Sequence, residues 1–223
     1  MRGHLGGRAS SSLRNHRRGS PLVADLGFAQ LRSPRLLLRR LQESDLPSFC
    51  AYRSDPQVAR YQDWDSCSEE EGQRFIEGQM ALHPDVPGTW LQMAIELVEV
   101  GKIIGDCGLH TLADRPGQVE IGITMACEYQ ENGYATEAVN CLLDYVFGKI
   151  AKHRVIAVAD TRNTPVVRLL ERVGMRREGH FIENVWFKGE WGDEFQYAIL
   201  DRDWRAMAAS QEMLRCPAHP KPR

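Results

Sequence analysis

Apolar residues recur along this chain at two spacings, and the switches between them outline a series of elements. Arg35-Leu36-Leu37-Leu38-Arg39-Arg40-Leu41 reads as an opening strand behind a Ser33-Pro34 breaker, so ordered sequence is expected from about Leu31. Ser44 is placed to cap a short helix entering at Asp45. Ser68-Glu69-Glu70-Glu71 is a capping-box pattern ahead of Phe75, Ile76 and Met80 at helical spacing. From Trp90 to Val98 the chain has strand character, and Gly101-Lys102 turns it into a second strand from Ile103 to Leu109. After a polar loop from Asp114 to Gly117, Val119 to Met125 alternates as a third antiparallel strand.

The period then changes. Ala135, Ala138, Val139, Leu142 and Val146 form the stripe of a helix packed on a sheet. Val155-Ile156-Ala157-Val158-Ala159 is continuously apolar, the pattern of a strand covered on both faces, and it is expected to be the central strand, parallel to the one before the helix. Val166, Leu169, Leu170 and Val173 mark another helix ending at Gly174. A closing hairpin, Phe181 to Phe187 and Phe195 to Leu200 around Lys188-Gly189-Glu190, precedes a helix from about Asp203. The order β, α, α, β, β, β, α, β, α, β, β is that of an α/β (α+β) domain. Residues 1–30 are set apart as a disordered extension, 31–205 as the domain and 206–223 as a C-terminal helix or tail.

Composition narrows the picture. With 223 residues, 43% of them hydrophobic and 26% charged, the chain can bury one ordinary core. A formal charge of -2 gives no general pull on nucleic acid or anionic membrane, and no apolar run reaches the length of a membrane helix, so neither partner is expected and a cytoplasmic protein is. Cys50, Cys67, Cys107, Cys127, Cys141 and Cys216 show neither paired nor zinc-like spacing; free thiols and no metal site are expected. The stretch from Met1 to Ala24 holds five arginines and no acid, which also fits an organellar targeting peptide or an upstream start.

The segment that carries chemistry is Gln130-Glu131-Asn132-Gly133-Tyr134-Ala135-Thr136-Glu137-Ala138, between a strand and a helix. A glycine there lets backbone N–H groups approach a diphosphate, and the helix start adds unpaired donors and a positive dipole end. Neither the lysine-bearing nucleotide loop nor the dinucleotide glycine pattern is present. In this setting Gln-x-x-Gly-x-Ala resembles the pyrophosphate loop of the GCN5-related N-acetyltransferase family. The resemblance runs from about Pro34 to Trp204, through Pro34-Arg35-Leu36-Leu37-Leu38-Arg39, Glu120-Ile121-Gly122-Ile123, the loop itself, and Asn163 to Gly174. Trp186-Phe187-Lys188-Gly189-Glu190-Trp191-Gly192-Asp193 is similar to the closing hairpin of the branch that includes the ribosomal-protein N-terminal acetyltransferases.

That resemblance implies a mixed, mostly antiparallel seven-stranded sheet with helices on both faces, and a parallel strand pair splayed into a cleft for acetyl-CoA. The cofactor contacts it implies are the backbone of Ile123, Thr124 and Met125, the loop residues Gln130, Glu131, Asn132, Gly133, Tyr134, Ala135 and Thr136, and Asn163, which also reads as a plain N-cap. Glu120 is the first choice for a base taking the amine proton directly or through water, Glu137 a weaker one. Leu170 and Val166 stand where relatives place a tyrosine or serine acid, leaving a proton from solvent, Thr164, Tyr134 or none. Trp64, Trp186 and Trp191 are candidates for the acceptor side, with Tyr61 to Asp65 closing over it. The activity implied is acetyl transfer to an amine, a protein N-terminus or a small molecule, by direct attack. A CoA-binding module without turnover is the alternative, and a homodimer through the closing hairpin is compatible with either.

Overall fold

The computed structural model describes residues 30–215, the side chains of 211–215 excepted. The basic N-terminal stretch and Cys216 lie outside them. β1 (Gln30–Arg32) and β2 (Leu36–Arg40) are followed by a 3-10 turn at Glu43–Asp45 and three helices, α1 (Leu46–Arg53), α2 (Pro56–Ala59) and α3 (Glu69–Met80). β3 (Trp90–Leu97), β4 (Lys102–Thr111) and β5 (Gln118–Met125) form the meander. Then come α4 (Tyr134–Gly148), β6 (Arg154–Asp160), α5 (Thr164–Arg172), β7 (Arg176–Phe187), β8 (Glu190–Leu200) and α6 (Asp201–Arg215).

The local chemistry explains most boundaries. Ser68 accepts from the Glu71 amide and Glu71 reaches back to the Ser68 N–H, so the capping box forms as expected. Ser44 is no cap: it lies inside the 3-10 turn, where Gln42 and Asp45 form a capping box of their own and Asp45 precedes the first residue of α1. Lys188 (φ 49°) and Gly189 (φ 87°) both take left-handed backbone, the requirement of a two-residue hairpin turn that matches strand twist. α6 starts two residues earlier than expected, directly after β8.

The sheet has eight strands in the order β1-β2-β3-β4-β5-β6-β8-β7. The added strand is β1, three residues paired antiparallel to β2; nothing in so short a segment alternates enough to announce it. β6 is not central but sixth in that order, and only Val155, Ala157 and Ala159 are buried while Ile156 and Val158 are half-exposed. A continuous apolar run thus marks here a strand whose second face meets an opening rather than a layer. One core, built around Leu142, Val146, Phe147, Val155 and Tyr197, holds α4 and α5 against the sheet; a second, around Phe49, Tyr52 and Ile76, holds α1 and α3.

Candidate functional site

β5 and β6 are the one parallel pair among the described strands, and they stay together briefly. Gln118, Val119 and Glu120 pair with Arg154, Val155 and Ile156, and there the ladder stops although both strands continue. On its other edge β5 remains fully zipped to β4 as far as Met125. The β6-facing edge from Ile121 onward therefore carries main-chain groups without a ladder partner. Gly105 makes the close β4–β5 approach feasible, since a Cβ there would collide with the Thr124 carbonyl.

A cleft of about 190 Å³ opens where the strands part. Ile121, Gly122 and Ile123 form one wall and Ala157, Val158 and Ala159 the other, with Asn163, Val166 and Leu170 of the α5 region behind. This is the splayed pair expected from the sequence. Thr124 and Met125 are buried, so they can offer a ligand their backbone and not their side chains.

The glycine loop follows β5 and leads into α4, whose Val139 lines the cleft. Gly133 sits at φ 79° as the N-cap of α4, and Glu131 is also left-handed at φ 62°. The helix ladder opens with the Glu137 N–H donating to Gly133 O at 3.1 Å, which leaves the amides of Tyr134, Ala135 and Thr136 ahead of it. Gln130 Nε2 donates to the Met125 carbonyl at 3.0 Å and Asn132 Nδ2 to the Gln130 carbonyl at 2.8 Å. Gln130 and Asn132 thus brace the loop and tie it to the end of β5.

Two arginines that motif reading did not assign flank this loop. Arg35 donates from Nη1 to the Asn132 carbonyl at 3.1 Å, covers the Tyr134 ring at 4.4 Å and pairs with Glu137 at 2.7 Å. Arg172 reaches Thr136 Oγ1 at 3.3 Å. Burial alone would raise the Glu137 carboxyl, but hydrogen bonds from Ser33 and from the Arg35 backbone and side chain hold it below the usual carboxylate range. Glu137 is thereby an anchor joining the loop to the first strands. No local signal pairs position 35 with position 137; only sheet order brings them together.

Glu120 does not line the cleft. It stands one same-face step before Gly122, with its carboxylate 3.8 Å from His110 Nδ1 across the β4–β5 ladder. Trp90 stacks on His110 at 4.9 Å, so Trp90, His110 and Glu120 form a row across three strands. Further along that same face, the fully buried Asp106 accepts from Tyr52, Gln92 and Arg53. Neither cluster was singled out from sequence, because each joins residues on different strands or layers.

The remaining candidates divide. Asn163 faces the cleft and also caps α5, accepting from the Val166 amide at 3.4 Å. Leu170 and Val166 do occupy the cleft wall, so the missing hydroxyl is missing at the site itself. Tyr61 and Gln62 line the opening, and Tyr61 donates to the Arg162 carbonyl at 3.2 Å. Lys188 Nζ fixes that segment through the Ala59 and Trp64 carbonyls, both at 2.9 Å, and neutralises Asp65 at 2.7 Å. Trp64 packs on Arg53 instead of the cleft. Trp186 and Trp191 are exposed and pair edge-to-face with each other, while Phe187 of their hairpin lines the opening in their place.

The sequence and the fold are shared with known proteins. The acetyltransferase (GNAT) domain family matches residues 35–176. The uncharacterized N-acetyltransferase YnaD of Bacillus subtilis (strain 168) is 31% identical over 176 residues, 76% of this chain and 96% of that protein. A GNAT-family acetyltransferase from Bacillus anthracis has a crystal structure that superposes with a TM-score of 0.71 at 31% identity, covering 78% of this chain and 99% of its own. The fold also matches that of spermidine N-acetyltransferase from Vibrio cholerae in complex with CoA and spermine, with a TM-score of 0.67 at 22% identity over 78% of this chain and 99% of that one. With its parted strands, glycine loop and family match in agreement, the chain belongs to the GNAT family of N-acetyltransferases.

Proposed function

We propose that the chain transfers the acetyl group of acetyl-CoA to a primary amine, a protein N-terminus or a small molecule, by direct attack, with Glu120 as the base. The observation that carries this reading is the parting of β5 and β6 after Glu120, beside a helix start whose amides precede the ladder. The diphosphate would rest on the amides from Glu131 to Thr136, with Arg35 and Arg172 adding positive charge. Pantetheine would lie along the unpaired edge from Ile123 to Met125, near Asn163. Binding of CoA by a fold neighbour supports this use of the cleft.

In the reaction the amine nitrogen attacks the thioester carbonyl, its proton passes to Glu120 directly or through water, and the carbon–sulfur bond breaks. With Leu170 and Val166 apolar at the wall, the departing thiolate takes its proton from solvent. A covalent route through cysteine is disfavoured, because burial pushes the Cys141 thiol up to about 11 and, with the Cys67 thiol beside it, Cys50 up to about 12. The decisive test is Glu120→Gln. Thiol release should fall by roughly 10²–10⁴-fold with CoA affinity unchanged. Retention of more than a tenth of wild-type kcat would remove Glu120 from the role.

A further inference from the structure

We infer that the acceptor carries a carboxylate, and that a second hollow on the sheet face beside Glu120 receives it; this rests on the transfer reading above. The hollow measures about 380 Å³ and is lined chiefly by Arg115, Gln118, His153, Arg154, Ile156 and Gln196. Strand register joins it to the cleft. Ile156 lines the hollow and pairs with Glu120, whereas Val158, the next residue on the same face, lines the cleft and pairs with Gln196 of the hollow. Glu120 therefore stands between the two openings. Same-face neighbours on a strand are about 7 Å apart, so a group one or two such steps from the reacting nitrogen enters the hollow.

Its chemistry favours an anion. Gln118 and Gln196 are half-buried, and neither makes a side-chain hydrogen bond to any described residue. The charge of Arg154 is taken by Glu178, which also binds Arg176 at 3.1 Å. Arg115 has no ion-pair partner among the described residues, and the His153 imidazole is exposed beside it. A carboxylate can take the Arg115 fork and the amide N–H groups together, while an ammonium would meet an uncompensated guanidinium.

The test uses two tripeptide amides with free N-termini, glycyl-glycyl-glutamate amide and glycyl-glycyl-arginine amide, at saturating acetyl-CoA. The glutamate peptide should show a KM at least tenfold lower, and Arg115→Glu, an exposed loop change, should abolish that preference with the KM for acetyl-CoA unaltered. Equal or better use of the arginine peptide, or a preference that survives Arg115→Glu, overturns the inference. Should no amine release thiol, the transfer reading fails by itself. The inference is then decided by NMR on the CoA-saturated protein: saturable shifts of the Gln118 and Gln196 side-chain amides with the glutamate peptide alone sustain it, and no shifts with either peptide refute it.

Discussion

Replacing Gly133 separates the two properties the loop requires of that position, a left-handed backbone and an open face. At φ 79° an alanine carries the penalty of a left-handed L-residue, about 1 kcal/mol. The built Cβ would meet Arg35 Nη2 at 3.5 Å, an ordinary contact, so no packing term adds to it. For a domain of this size that penalty lowers Tm by about 2–4 °C. Asparagine tolerates the same backbone, so Gly133→Asn should lose less than half as much stability. Both side chains, however, place a Cβ on the surface where the amides would face a diphosphate. We therefore expect CoA to bind about tenfold more weakly to either variant, about 1.4 kcal/mol, whatever their Tm. Gly174→Ala is the control: it too is left-handed, at φ 85°, and its Cβ would press on Met207 of α6 and on no residue of the loop, so it should lower Tm and leave CoA affinity alone. Calorimetric titration with CoA and thermal melts on the three proteins decide the matter. CoA affinity within twofold of wild type in both Gly133 variants would refute the cradle.

Three further outcomes follow from the packing. Asp106→Ala strands the Arg53 charge, which is 9% exposed, and should reduce unfolding free energy by about 3–5 kcal/mol in urea titration; a loss under 1 kcal/mol would mean Arg53 finds another partner. Glu137→Gln should lower Tm at neutral pH. Since the folded carboxyl titrates below its ordinary value of 4.5, its contribution is present above that pH and is lost as pH falls through the lower folded value, so the melting difference should close in acid. A gap unchanged from about pH 7 to pH 3 would contradict the anchor. Ser68→Ala removes one half of the capping box on α3 and should cost about 1 kcal/mol by chemical denaturation, with kinetics unaltered.

What the sequence determined by itself is local. Apolar spacing placed α4 and α5, the Ser68 box started α3, Lys188-Gly189 closed the last hairpin, and Gly133 at a helix entry marked the loop, because each of these depends on residues within a few positions of one another. That Leu170 and Val166 stand where an acid would be sought came from the family resemblance, and the structure places both at the cleft wall. Tertiary structure decided whatever depends on register. That β5 and β6 separate after Glu120, that His110 and Trp90 stand beside that carboxylate, and that Arg35 reaches Asn132 and Glu137 are consequences of which strands are neighbours and by how many residues they are offset. The run from Val155 to Ala159 shows the limit well. Its composition is that of a covered strand, yet its second face lines an opening, because exposure is set by where the neighbouring layers end and not by the strand's own residues.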